Sequence, residues 1–134
     1  MENCIFCKIA NHEIPGSVVY EDEICLAFLD LSQSTKGHTL VVCKDHYENM
    51  LECDDQVLTH MFLVAKKLAN QMKTNLNAKG VNILSNAGEA AGQSVLHFHI
   101  HLIPRYDEKD GFDPVFTSHQ GEYDLEEVKK QIIG

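Results

Sequence analysis

The sequence predicts an α+β fold, an antiparallel five-stranded sheet with one long helix. Three observations carry this. Short apolar segments rich in β-branched and aromatic residues recur with turn residues between them, as strands joined by hairpins do. One stretch, residues 57–72, places apolar residues at steps of three and four. A chain of 134 residues with 44% hydrophobic and 23% charged positions suits one globular domain with a buried core. Strands gathered around a single dominant helix favour antiparallel pairing over alternating βαβ units.

Ser17 to Tyr20 and Ile24 to Leu29 read as two strands joined by the acidic turn Glu21-Asp22-Glu23. His38 to Lys44, behind the Gly37 breaker, reads as the third strand, built on Leu40-Val41-Val42-Cys43. Asp54 and Asp55 offer an N-cap to the helix, whose apolar face is Val57, Met61, Val64, Ala65, Leu68 and Met72, and which ends within 75–80. Gly80 to Leu84 is the fourth strand, and a loop of small residues follows from Asn86 to Ser94. Val95 to Ile103 is the fifth strand, closed by Pro104, and Asp124 to Ile133 is a short final helix. A single domain over 1–134 is expected, with its core at about 4–106 and an irregular tail at about 107–134.

Eleven lysines and arginines against 20 acids give a net charge of −9. Such a balance argues against a nucleic-acid polymer or an anionic membrane surface as the main partner. It leaves room for a small phosphate ligand, which backbone amides bind without net positive charge. The longest apolar run is Ile24 to Leu29, far short of the roughly 20 residues of a membrane span. No secretory signal is visible in residues 1–15, and five scattered cysteines are not a disulfide framework. A cytoplasmic location is therefore expected.

The informative stretch is His97-Phe98-His99-Ile100-His101-Leu102-Ile103. As a strand it sends Leu96, Phe98, Ile100 and Leu102 to the core and His97, His99 and His101 to the opposite face. Solvated strand faces use Thr, Lys or Glu, so three histidines signal chemistry. The outer two Cα atoms would stand ~13 Å apart at the strand rise, too far for relaxed ligation of one metal ion, so separate roles fit better. Cys4 and Cys7 form a C-x-x-C pair, half of a zinc site; a redox reading is weaker because no strand precedes it. The Gly-rich loop is no Walker loop, but it can bring backbone N–H groups, the Gln93 amide and the Ser94 hydroxyl to a phosphate. Asp30 is either a turn residue with Ser32 or a free acceptor. Cys25 and Cys43 read as core, and His12, His60 and His119 have no partner pattern.

The alternating histidines resemble the signature of the histidine triad (HIT) family of nucleotide-binding proteins. The likeness extends through Cys4-Ile5-Phe6-Cys7-Lys8-Ile9, Glu13-Ile14-Pro15, Ala27-Phe28-Leu29-Asp30, Lys36 to Val42, Asn86-Ala87-Gly88 and Gly92-Gln93-Ser94, covering about residues 4–106. The resemblance implies the α+β fold read above and a homodimer. It implies hydrolysis or transfer of adenosine 5′-monophosphate from a phosphoramidate or similar mixed phosphate through a nucleotidyl-histidine. His99 would be the nucleophile, His101 its partner at the phosphate or leaving group, and His38 a further active-site histidine. Asp30 would bind ribose, Ile14 and Leu31 would flank the purine, and Asn86, Gly92, Gln93 and Ser94 would surround the phosphate. Zinc, structural in role, would take Cys4, Cys7, His46 and His97. Two other functions are open: cleavage of dinucleoside polyphosphates, and an AMP-sensing interaction module with incidental turnover. The chain departs from the best-known branch of the family in running on to residue 134 without a tryptophan.

Overall fold

Strands β1 (Val18–Glu21), β2 (Cys25–Leu29), β3 (Thr39–Cys43), β4 (Gly80–Leu84) and β5 (His99–Arg105) pair in the order β1-β2-β3-β5-β4, every neighbour antiparallel. This computed structural model describes residues 3–107 and 109–134; residues 1, 2 and 108, which the expected domain and tail include, lie outside the described residues. The expected fold class holds. The long helix α2 (Asp55–Asn75) starts at the Asp54 N-cap, whose carboxylate accepts from the Gln56 and Val57 amides.

Alternation along the strands divides the interior in two. Cys25, Ala27, Val41, Cys43, Ile100 and Leu102 face α2 and its Met61, Val64, Ala65 and Leu68. Leu26, Phe28, Leu40 and Val42 face the other way, onto Phe6, Ile9 and Ala10. These three belong to α1 (Ile5–Ala10), a helix the sequence reading lacks. Six residues are too few to display a helical period, and the cap is an unusual one: Cys4 Sγ accepts from the Cys7 amide at 3.4 Å.

The fifth strand differs from expectation at both ends. It starts at His99, not Val95, so His97 precedes the strand and Leu96 is exposed rather than part of the core. It also runs through Pro104 to Arg105. Lys79 N donates to Arg105 O at 2.8 Å, so the polar groups of Arg105 face β4 and those of Pro104 face the opposite edge. There β3 begins only at Thr39, paired with Leu102, and the missing proline N–H costs no ladder bond.

Asp22 ties the first hairpin to α2. One oxygen accepts from the Ile24 and Cys25 amides at 2.8 and 2.9 Å, the other from Tyr20 Oη at 2.7 Å and His60 Nε2 at 2.6 Å. His60 therefore has a partner, as do His12 with Glu21 and His119 with Glu122. The predicted final helix is present as α3 (Leu125–Ile133), capped by Asp124, with none of its residues buried. No helix among the described residues is long and apolar enough to cross a membrane.

Candidate functional site

The register of β3 against β5 sets Val42 opposite His99 and Leu40 opposite His101, so both histidines share the sheet face that α1 covers. His99 is 6% exposed, and its ring meets the Phe6 ring edge-on with centroids 4.9 Å apart. Its Nδ1 lies 2.6 Å from the carbonyl oxygen of His97. A carbonyl only accepts, so Nδ1 carries the proton and Nε2 keeps its lone pair. Burial lowers the His99 pKa, which keeps the imidazole neutral.

His101 stands beside it, ring centroids 5.0 Å apart, and completes a chain with His38. The Ser34 amide donates to His38 Nδ1 at 3.4 Å, so His38 Nε2 holds the proton. That nitrogen sits 3.0 Å from His101 Nδ1. His101 Nδ1 is thus an acceptor and its Nε2–H a donor. Burial, with repulsion from His99 and His38, brings the His101 pKa down to about 4. His38 is lowered by burial too, against the pull of Asp30. Neighbouring imidazoles of this set are neutral near pH 7: one presents a lone pair, the other an N–H.

The turn reading of Asp30 holds for one of its oxygens. Its Oδ1 accepts from the Ser32 amide at 2.8 Å and the Ser32 hydroxyl at 2.6 Å, closing a turn. Its Oδ2 is 3.8 Å from His38 Nε2. Burial works to raise the carboxyl, but the Ser32 bonds and the two histidines outweigh it and hold it below its ordinary value. Ile14 packs at the edge of the cluster of Phe6 and Phe28, while Leu31 is fully exposed.

The loop of 86–94 is braced by Gln93. Its amide oxygen accepts from Gly88 N at 2.9 Å, and its nitrogen donates to the carbonyls of Glu48 at 2.6 Å and Val95 at 3.0 Å. The side chain expected at a phosphate is therefore occupied in shaping the loop, with Gly88 and Gly92 at φ of 98° and 95° allowing its turns. Asn86 Nδ2 donates to Gly92 O at 3.4 Å. Ser94 lines an open cleft of about 850 Å³ with Cys4, Ile5, His46 and Leu96. Two participants escaped the sequence reading as site residues: Phe6, hidden in the missed helix, and the Ser34 amide, for which a sequence carries no signal.

Cys4, Cys7, His46 and His97 converge, all four ligand atoms within 4.8 Å of one another. Cys4 Sγ and Cys7 Sγ lie 3.2 and 3.4 Å from His97 Nδ1, and Cys7 Sγ lies 3.3 Å from His46 Nδ1. A tetrahedral zinc site puts its sulfur and nitrogen ligands about 3.5 Å apart, so the group fits. The second nitrogen of His97 supports it: Nε2 donates to Cys43 O at 2.8 Å, which turns the Nδ1 lone pair toward the thiols. Burial and the neighbouring Cys4 raise the Cys7 pKa, and a dication at this point would favour its thiolate.

A family model described as the HIT domain matches residues 11–108. The adenosine 5′-monophosphoramidase of Saccharomyces cerevisiae is 37% identical over 131 residues, covering 97% of this chain and 80% of that protein. A crystal structure of a HIT family protein from Bacillus anthracis is 52% identical, with a TM-score of 0.91 over 98% of this chain and 94% of that one. A zinc-bound histidine triad family protein from Mycobacterium smegmatis is 34% identical, with a TM-score of 0.76 over 96% and 89% of the two chains.

Proposed function

This chain belongs to the histidine triad (HIT) family, and from that premise we propose that it hydrolyses adenosine 5′-monophosphate derivatives, a phosphoramidate or similar mixed phosphate, through a nucleotidyl-histidine on His99. The observation that carries this reading is the pair of fixed tautomers: the His99 Nε2 lone pair beside the His101 Nε2–H. The similarity to the yeast adenosine 5′-monophosphoramidase supports the substrate class.

His99 Nε2 attacks the α-phosphorus in line with the leaving group. As the phosphorus–nitrogen bond breaks, His101 hydrogen-bonds the phosphate or leaving atom, which takes up a proton from water by way of that imidazole. Water then attacks the adduct and gives up a proton through His101, restoring the one taken in the first step, the bond between phosphorus and His99 breaks, and AMP leaves. His38 keeps His101 in its donor tautomer. Asp30 Oδ2 is offered to the ribose, with Ile14 and Leu31 against the purine and Asn86, Gly92, Gln93 and Ser94 shaping the phosphate loop.

Zinc in the closed set of Cys4, Cys7, His46 and His97 would act structurally, having no open position for water. It would pin α1 and His97, whose carbonyl orients the nucleophile. The chain would work as a homodimer, twice its 15.1 kDa mass in sedimentation.

A substrate panel tests the proposal: an adenosine phosphoramidate, diadenosine polyphosphates and AMP itself. Faster turnover of the phosphoramidate is expected. Preference for the dinucleotides would replace it with polyphosphate cleavage, and tight AMP binding without turnover would replace it with a sensor.

A further inference from the structure

The start of the C-terminal tail lies against the loop that carries His38. Two bonds secure the tail to itself and to the sheet. Asp110 accepts from Arg105 Nε at 2.5 Å and from the Tyr106 amide at 2.8 Å. Arg105 in turn donates to Asn82 on β4 at 2.9 Å. Tyr106 Oη reaches across to donate to Lys36 O at 2.6 Å. Next to this anchor, Gly111 meets Ser34 so closely that a Cβ at position 111 would fall inside the carbonyl group of Ser34. The backbone of Gly111 is not in the left-handed region. Contact alone, and not conformation, requires glycine there.

Ser34 is the residue whose amide donates to His38 Nδ1. We propose that Gly111, held in place by Tyr106 and Asp110, is a positioning residue that seats Ser34 and so decides which nitrogen of His38 and of His101 carries the proton. A side chain at 111 must push the Ser34 carbonyl, and the rest of that residue with it, away, because its collision is with backbone. The tail is held by Asp110 before it and by Phe112, whose ring lies 5.8 Å from the Arg105 guanidinium, after it. With the Ser34 N–H withdrawn, His38 Nδ1 can take the proton. The chain then reverses: His38 Nε2 accepts, His101 Nδ1 donates, and His101 Nε2 faces the substrate with a lone pair instead of an N–H. The Asp30 carboxylate, 3.8 Å from His38 Nε2, favours the original sense, so the reversal is partial. The consequence for turnover rests on the role given to His101 above; the coupling itself does not.

The test uses the zinc-loaded full chain with Gly111→Ala and Tyr106→Phe, read by ¹⁵N spectra of the His38 and His101 rings and by kinetics on an adenosine phosphoramidate. The wild-type rings should each show one tautomer, protonated at Nε2. Gly111→Ala should mix the tautomers and lower kcat about tenfold, less than the ~10²–10⁴ of removing an acid–base group outright. KM should change less than kcat, since the ribose and purine contacts are untouched and only the His101 contact is altered. Tyr106→Phe deletes one hydroxyl, should act in the same direction, and carries the test if Gly111→Ala does not fold. Wild-type tautomers retained in the folded variants would overturn the proposal whatever the kinetics. Mixed tautomers in a chain that turns over no nucleotide would uphold the coupling and sink the assigned reaction.

Discussion

His99 Nδ1 lies 2.6 Å from the carbonyl oxygen of His97, so one peptide group joins the candidate metal cluster to the candidate nucleophile. His97 gives its ring to the cysteines and its carbonyl to His99.

His99→Asn removes the attacking nitrogen while keeping polarity and similar volume. Turnover should fall by about 10³-fold or more, each tenfold being about 1.4 kcal/mol of barrier. AMP affinity should change far less. Rapid-quench trapping with labelled substrate should place a nucleotidyl adduct on His99 in the wild-type chain and none in the variant. A wild-type chain that turns over with no adduct in single-turnover experiments would falsify the covalent route.

Metal analysis of purified protein should find one zinc per chain. Cys4→Ser or chelation should lower the thermal midpoint by about 10 °C, a few kcal/mol for a domain of this size. Activity should fall with metal loss, because the His97 carbonyl loses its anchor. An unchanged midpoint after complete metal removal would exclude a structural site.

Acid should weaken the fold before carboxylates begin to titrate. The folded pKa of His101 is about 4 against an ordinary 6.5. Between these values the unfolded chain binds the proton and the native chain does not, so stability falls as pH falls through that window. Urea unfolding should show lower stability at pH 5 than at pH 7, with a smaller difference in His101→Asn. Asp30, held below its ordinary value, contributes its loss only at lower pH. A pH dependence unaltered by His101→Asn would assign the effect elsewhere.

Thr35 is 6% exposed, and its hydroxyl is a buried side-chain oxygen with no hydrogen-bond partner among the described residues. Thr35→Val replaces that group with a methyl of nearly the same shape. It should stabilise the chain by about 1 kcal/mol, the desolvation of one unpaired group, with the bond from the His38 amide to Thr35 O retained. Denaturant titration measures it, and a loss of stability would show that the hydroxyl has a partner in solution.

Much of this was written locally. The steps of three and four from Val57 to Met72 place α2, and the alternation from Phe98 to Leu102 separates core from histidine face, because side-chain period follows directly from backbone geometry. Leu96 broke the pattern: the strand begins at His99, and nothing in a run of alternating residues marks where a bend replaces it. The α1 helix was hidden by its length, and with it the contact of Phe6 with His99.

The sequence by itself determined the fold class, the placing of His99 and His101 on one face of a strand, and the close spacing of Cys4 and Cys7, since each is a matter of spacing along one chain. Tertiary structure alone decided what the groups became. It brought His46 and His97 to the thiols, spent the Gln93 amide on its own loop, and set His38 against His101 from 63 positions away. Which nitrogen of an imidazole holds its proton depends on the partner that reaches it, and here those partners are the His97 carbonyl and the Ser34 amide. Backbone groups carry no signature in a sequence; only folding aims them.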